Sequence, residues 1–300
     1  NRFRHEQTLL RLEAAAEIHI AQPEIIADPV ISRIADHLDA HHRPILPPLT
    51  EPGVTPAQSV DATVCRYGGN TAMITLPRRG HQVHEIDLAQ DALRSARRIV
   101  VLTGAGVSTE SGIPDYRGQG APRRRPMTLD DFLTLPQVRR RYWAGSHLGW
   151  NSFARVRPNP SHLALARMQR AGVVARVITQ NVDTLHEQAG TADVLHMHGT
   201  MMTVSCLNCH STFPRRAIAP QMVRENGPFF ARQADLRPDG DAEITPPDDF
   251  RVPSCPRCAG MLKPDVVFFG ETVSAAVTAA CYEAIDSADL LLIAGSSLVV

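Results

Sequence analysis

The 300 residues carry 31 basic and 31 acidic side chains and 43% hydrophobic content. That length buries a substantial core in one large domain or two small ones, and the cancelled charge gives no reason to expect a nucleic acid or an anionic membrane as partner. No apolar run approaches the roughly 18 residues a membrane helix needs, and no charged head with an apolar centre opens the chain, so a soluble, cytoplasmic protein is expected.

Residues 1 to about 40 show helical apolar spacing at Leu9, Leu10, Leu12, Ile18 and Ile25, while 43–80 are rich in Pro, Gly and Thr without a clear period. Residues 1–85 therefore read as an N-terminal extension of unknown structure, unassigned or partly disordered, with a small separate module as the other reading. The chain begins with Asn1 and not methionine, so it reads as a fragment or as the carrier of an upstream extension. A helix is expected from about Ile86 to Arg97. The β-branched run Ile99 to Thr103 then has the length of a buried strand and stops at the glycine pair Gly104-Ala105-Gly106. Gly104 and Gly106 permit a tight turn with exposed N–H groups, and Ser108 adds a hydroxyl, which suits a pyrophosphate. The fingerprint's third glycine is replaced by Ser108-Thr109-Glu110-Ser111, so an ordinary glycine turn stays open.

Downstream, 130–153 reads as helical with aromatic anchors at Phe132, Tyr142, Trp143 and Trp150. A helix from Pro160 to Ala171 ends at Gly172. Val173 to Thr179 is a second buried strand delivering Gln180-Asn181-Val182-Asp183, and Ala288 to Ala294 is a third, ending at Gly295-Ser296-Ser297; Pro264 to Phe269 is expected to return to the same sheet. Strand, helix, strand implies a right-handed parallel unit, with ligands at the carboxyl ends of the strands. Asn181 and Asp183, two apart, project on one side of an extended loop and could grip a hydroxyl and a carboxamide; an Asx-turn capping the next helix is the alternative. Basic runs at Arg123-Arg124-Arg125, Arg139-Arg140-Arg141 and Arg215-Arg216 read as solvated faces.

Four of the six cysteines form Cys206-x-x-Cys209 and Cys255-x-x-Cys258, with 45 residues between the pairs. Two such knuckles suit one tetrahedral structural Zn²⁺ closed to substrate and water, with disulfide pairing as the rival.

Taken in order, Gly-Ala-Gly-x-Ser, Ser-Gly-Ile-Pro-Asp-Tyr-Arg, Gln-Asn-Val-Asp-x-Leu-His, His198-Gly199-Thr200, the two Cys-x-x-Cys pairs and Gly295-Ser296-Ser297 resemble the sirtuin family of NAD-dependent protein deacylases, notably its bacterial and mitochondrial class II subset. The resemblance spans about Leu93 to Val300. It implies an α/β fold, a Rossmann-like parallel sheet with helices on both faces plus a small zinc-binding lobe, within a catalytic domain over 86–300. Rossmann-like parts are expected at about 86–120, 158–200 and 264–300, a helical segment at 121–157 and the zinc lobe at 201–263. Further strands follow the last loop in sirtuins, so the chain reads as truncated at its C-terminus.

The resemblance also implies residue roles. His198 matches the general base acting on a ribose hydroxyl, and Asn181 a catalytic partner. NAD contacts are implied for Gly104, Ala105, Gly106, Ser108, Ile113, Asp115, Tyr116, Arg117, Gln180, Asn181, Asp183, Gly295, Ser296 and Ser297. His196 and His186 are expected to position rather than transfer protons. Acyl-lysine peptide would lie as an added strand near Val267, Phe268 and Gly270. The implied reaction moves the acyl group from lysine to ADP-ribose, releasing nicotinamide and O-acyl-ADP-ribose. Gln119 to Pro126 lacks the Tyr-x-x-Arg pair of desuccinylases, which speaks against succinyl. Tyr116, Arg141-Tyr142-Trp143 and Cys-Leu-Asn-Cys resemble the subset linked to weak deacetylation, lipoamide or longer-chain removal and mono-ADP-ribosyl transfer. Protein mono-ADP-ribosylation and a non-catalytic NAD- and zinc-holding module are the alternatives.

Overall fold

The computed structural model describes residues 63–67, 71–75, 83–115, 127–153, 155–227, 229 and 244–296. Tyr116, Arg117, Ser297, the Arg123–Arg125 run and the helical pattern of the first 40 residues lie outside these.

Strands β1 (Thr63–Tyr67), β2 (Thr71–Thr75), β3 (Ile99–Thr103), β4 (Val174–Thr179), β5 (Leu195–His196) and β9 (Leu290–Ala294) form one sheet in the order β1-β2-β9-β3-β4-β5. All its pairings are parallel except β1 with β2. The expected Rossmann-like core is present: β3 lies between β4 and β9, all five of its residues are buried, and so are all five of β9. Such runs lack polar alternation because both faces are covered. One face buries Ile99, Val101, Val177 and Leu292 against Ala89 and Leu93 of α1 (Val83–Ser95) and Leu165 and Met168 of α4 (Pro160–Arg170). The alternate residues Val100, Leu102, Ile178, Leu291 and Ile293 pack on Cys281 and Ile285 of α7 (Ala275–Asp286).

The sheet also takes in residues upstream of the expected domain start, since β1 and β2 extend it beyond β9. Their short, Thr-rich segments show no long period, and strand pairing with β9, far away in sequence, is invisible locally. Helix α1 begins three residues earlier than expected, and α4 ends at Arg170, with Gly172 in the left-handed conformation (φ 76°) just beyond its cap.

A second, three-stranded sheet has the order β7 (Thr212–Pro214), β6 (Gly199–Cys206), β8 (Leu262–Val266). The segment from Pro264 therefore does not return to the main sheet: β8 pairs antiparallel with β6, from Gly199↔Val266 to Cys206↔Leu262. With Lys263, Pro264 and Asp265 in the strand, local composition does not name its sheet, and its non-local partner decides. Helices α2 (Leu129–Thr134), α3 (Pro136–Phe153) and α6 (Arg215–Asn226) cover this sheet through a core of Phe132, Tyr142, Trp143, Val204, Ile218, Met222 and Phe268. Among the described residues no helix is long and apolar enough to cross a membrane.

Candidate active site

The loops after β3, β4 and β9 leave the same edge of the sheet because those strands run parallel. The first and third are in backbone contact. Gly104 N–H donates to Ala294 O at 3.1 Å and Gly106 N–H to Gly295 O at 2.9 Å. A Cβ on Gly104 would come within 2.7 Å of the Gly295 carbonyl oxygen, and one on Gly106 within 2.9 Å of Gly295 Cα; Gly295 itself sits at φ +64°. The expectation that both glycines present their N–H groups to a phosphate thus needs correction. Their amides hold the neighbouring loop, and what glycine supplies is close approach. After them Ala105–Ser111 coils into a 3₁₀ turn that buries Val107 and Ser108, and Ile113 N–H closes back on Ser108 O at 3.3 Å.

Ser108 is the junction of the first two loops. Its hydroxyl donates to Asp183 Oδ2 (2.9 Å) and accepts from Asn181 Nδ2 (3.0 Å). Asp183 Oδ1 accepts the Leu185 N–H (2.9 Å), so the Asx-turn alternative is realised at α5 (Leu185–Gln188) together with the Ser108 bond. Burial drives the Asp183 carboxyl above its ordinary range; the Leu185 and Ser108 hydrogen bonds oppose that rise without cancelling it. The strand ends are also tied: Thr103 Oγ1 donates to Thr179 Oγ1 (2.9 Å), which accepts the Asn181 N–H (3.1 Å).

Gln180 joins the third loop to the second. Its Oε1 accepts from Ser296 Oγ (2.7 Å), and its carbonyl lies 3.0 Å from His198 Nδ1. A carbonyl only accepts, so Nδ1 carries the proton of a neutral ring and Nε2 holds the lone pair. Burial lowers the His198 pKa below 6.5, against the opposing pull of the Gln180 carbonyl. At neutral pH the ring is therefore a base with its free lone pair on Nε2. His196 behaves in the opposite way. Burial alone would lower it, but Glu187, hydrogen-bonded to Nε2, outweighs that and raises the pKa, while Nδ1 faces the Asn181 carbonyl. His196 thus braces the Asn181 loop.

His186, deeply buried, sets Nε2 2.9 Å from Thr103 Oγ1, and its ring centroid lies 4.8 Å from that of His162. His162 Nδ1 is 2.9 Å from Asn159 Oδ1, and Asn159 Nδ2 donates to Val107 O at 2.7 Å. Asn159 was not among the expected site residues. Its Asn-Pro start marks a helix cap, which it is, accepting from Ser161 and His162 N–H. Nothing local shows that its amide nitrogen holds the glycine loop.

The thiol sulfurs of Cys206, Cys209, Cys255 and Cys258 all lie within 4.8 Å of one another, with Cys206–Cys258 at 3.5 Å and Cys209–Cys255 at 3.7 Å. Tetrahedral Zn²⁺ with Zn–S near 2.3 Å spaces its sulfurs about 3.8 Å apart, whereas a disulfide needs about 2.05 Å. The four cysteines are free thiols, and backbone N–H groups of Asn208, Cys209 and Arg257 lie 3.4–3.5 Å from Cys206 or Cys255 sulfur. This donor set fits a structural zinc at the tip of the β6-β7-β8 sheet, away from His198.

The segment after β8 crosses between the two sheets. Val267 N–H donates to His198 O (2.9 Å), Leu129 N–H donates to Phe269 O (3.0 Å), and Thr128 bridges Phe269 in parallel. Phe268 is buried against the Phe132 and Tyr142 rings, 5.1 and 5.2 Å between centroids. The arrangement unites one histidine base, a buried amide–hydroxyl–carboxylate triplet and an extended segment under one sheet edge. Gly104, Gly106, Ser108, Gln180, Asn181, Asp183, His198, Gly295 and Ser296 meet there through the contacts above, the four cysteines lie apart in the small lobe, and Asp115 is the last residue before the undescribed stretch.

A parallel sheet with a four-cysteine lobe and a histidine base at the sheet edge is the arrangement that the resemblance to NAD-dependent deacylases implies. The Sir2 family profile matches residues 104–300, and the chain belongs to that family. It is 50% identical over 214 residues to the "NAD-dependent protein deacetylase 1" of Streptomyces coelicolor, covering 70% of this chain and 71% of that one. It is 40% identical over 236 residues to the "NAD-dependent protein lipoamidase sirtuin-4, mitochondrial" of Bos taurus, covering 76% and 75%. Among solved structures, a Sir2 homologue–NAD complex superposes with a TM-score of 0.53 at 32% identity over 74% of this chain and 75% of that one; a Sir2–p53 peptide–NAD⁺ complex gives 0.55 at 29% over 72% and 77%.

Proposed function

We propose that this protein removes acyl groups from lysine side chains of proteins in an NAD-dependent reaction, with His198 as the general base. The observation that carries the reading is the fixed tautomer of His198. With Nδ1–H held by the Gln180 carbonyl and the pKa lowered by burial, Nε2 is free to take a proton at neutral pH. The relatives named above, a deacetylase and a lipoamidase, support the same class.

When bound, NAD supplies the ADP-ribosyl group that accepts the acyl oxygen as nicotinamide leaves. His198 Nε2 takes the proton of a ribose hydroxyl. Asn181 and Asp183, oriented through Ser108, hold polar groups of the nicotinamide half. Gly104, Ala105, Gly106, Ser108, Ile113, Gln180, Gly295 and Ser296 form the wall for the rest of the dinucleotide, and the family resemblance adds Asp115, Tyr116, Arg117 and Ser297 as NAD contacts. The raised pKa of buried Asp183 keeps its negative charge costly, so a donor from the ligand that hydrogen-bonds this carboxylate is favoured. The acyl-lysine peptide lies along Val267, Phe268 and Gly270, where main-chain pairing gives weak sequence preference. Cys206, Cys209, Cys255 and Cys258 hold a structural Zn²⁺.

Mass spectrometry of NAD and a panel of acyl-lysine peptides incubated with the wild-type protein and with His198→Ala tests this. Nicotinamide and O-acyl-ADP-ribose formed only with intact His198 is the expected result and names the acyl chain. Mass added to protein without acyl loss points to ADP-ribosyl transfer instead, and a folded, zinc-loaded protein that leaves NAD untouched overturns the enzymatic reading.

A further inference from the structure

Lys263 is a buried cation, 8% exposed, at the second position of β8. An ammonium has three donors, and burying one with any donor unmet is costly. Here all three end on one short stretch of chain: Nζ donates to Pro264 O (3.2 Å) and Val266 O (2.8 Å), and pairs with Glu271 Oε2 at 3.0 Å. The same Glu271 oxygen accepts the Phe268 N–H at 2.9 Å, and Glu271 N–H donates back to Phe268 O at 3.0 Å. Nζ also lies 4.9 Å over the face of the Phe268 ring. The pair therefore closes residues 263–271 into a loop fixed from inside at both ends.

That loop is held from outside at two points. Val267 N–H reaches the carbonyl of His198, and the Phe269 carbonyl accepts from Leu129 at the start of α2. A buried ion pair adds little to stability compared with an apolar pair of similar volume, while it demands one geometry of both partners. Its effect is accordingly on the conformation of the loop. The bonds of Val266 O, Val267 N–H and both backbone groups of Phe268 all fall on residues 266–268, and the Glu271 N–H to Phe268 O bond makes 268–271 a β-turn.

We propose that Lys263 and Glu271 are positioning residues for the acyl-lysine peptide: together they hold Val267 beside His198 and fix the Phe268–Glu271 turn, with Gly270 at φ 76°, so that the segment along which the peptide lies keeps one conformation. The proposal rests on the assignment of this segment to peptide binding. Among the described residues, the hydrogen bonds and ion pair of these two side chains stay within residues 263–271 and do not reach the Gly104, Asn181 or Gly295 loops, so the pair acts on peptide affinity and not on NAD.

The test is steady-state kinetics on the full chain with NAD and whichever acyl-lysine peptide the wild-type protein turns over fastest. The variants are Lys263→Met, Glu271→Gln and Lys263→Arg, each checked for bound zinc. In Lys263→Met, which leaves two carbonyls and a carboxylate without their cation, the peptide KM rises about tenfold while the KM for NAD stays within about twofold. Glu271→Gln retains an amide oxygen for Phe268 N–H but not the ion pair, so it folds and shows a smaller rise in the same KM. Lys263→Arg restores a cation with donors to spare and returns the KM toward wild type. A lowered maximal rate with an unchanged peptide KM, or a parallel rise in both KM values, assigns the pair to folding alone and overturns the proposal. Wild-type protein that turns over no peptide removes the underlying assignment and this proposal with it, and that failure shows before any variant is compared.

Discussion

The two neighbouring buried histidines, His162 and His186, make a quantitative prediction for acid stability. Burial pushes the pKa of His162 down to about 4, and burial with the nearby His162 and His196 pushes that of His186 down to about 3. Unfolded histidine titrates near pH 6.5, so between pH 6.5 and about 4 the unfolded chain binds protons at these positions and the folded protein does not. Stability must then fall as pH falls. Lowering the pH from 7.5 to 5 moves 1.5 units below the unfolded pKa while staying above both folded values, which removes about 2 kcal/mol for each histidine, about 4 kcal/mol together. That is a large part of the roughly 5–15 kcal/mol by which domains are stable. The assay is denaturant unfolding at pH 7.5 and pH 5 of the wild-type protein and of His162→Gln/His186→Gln. Glutamine keeps an amide for Asn159 and for Thr103 but does not titrate. The double variant is expected to be less stable than wild type at pH 7.5 and to lose about 4 kcal/mol less on acidification. Zinc release and the third buried histidine, His147, whose pKa is lowered to about 4 by burial and by Arg215, contribute equally to both proteins and cancel in the difference. Identical losses in the two proteins would refute the reasoning.

The remaining expectations concern the loops and the metal. Gly106→Ala brings a Cβ to 2.9 Å from the Gly295 Cα and carbonyl oxygen, so the two loops must part by a few tenths of an ångström; the KM for NAD should rise about tenfold with zinc content unchanged. Gly199→Ala meets both a φ of +75° and the Asp265 carbonyl oxygen, breaking the β6–β8 junction next to His198; a loss of at least about 2 kcal/mol in unfolding free energy is expected, and a near-neutral result would contradict the close approach. Because burial lowers the pKa of His198, the acid limb of kcat/KM should fall below pH 6.5; a limb above that value would point to another base. Cys255→Ser removes a buried sulfur of the four, and atomic absorption should show zinc lost together with the β6-β7-β8 lobe's resistance to proteolysis.

Much of this was legible in the sequence because it is local. Ile99 to Thr103 and Leu290 to Ala294 announce buried parallel strands by unbroken apolar runs, and the residues that follow each run are where ligands bind in such sheets. Likewise Cys-x-x-Cys fixes two thiolates on one turn. What the sequence hid is which turn faces which. Gly104 and Gly106 look like phosphate ligands until the Gly295 loop, nearly 190 residues later, is found on their N–H groups. Val266-Val267-Phe268-Phe269 reads like the end of a main-sheet strand, and only the pairing of Leu262–Val266 with β6 assigns the segment to the small sheet. The hairpin of β1 and β2 is silent for the same reason, since strand preference is largely a preference for a neighbour.

The polar residues behind the site carry that argument a step further. Asn159, Thr103, Thr179, His162 and His186 lie behind the loops expected to bind ligand and tie them together as a chain: Asn159 caps α4 and holds Val107 O, His162 bonds Asn159, and His186 supports the Thr103–Thr179 bond on which the Asn181 amide rests. A buried hydrogen bond contributes perhaps 1 kcal/mol, but leaving its donor or acceptor unmet costs more than its formation gives. A chain of such bonds therefore has few alternative arrangements, and the glycine loop, the Asn181 loop and His198 move together or not at all. Replacing any one of these supports should thus reduce turnover through the shared geometry, even where the replaced side chain lies one layer away from the bound dinucleotide.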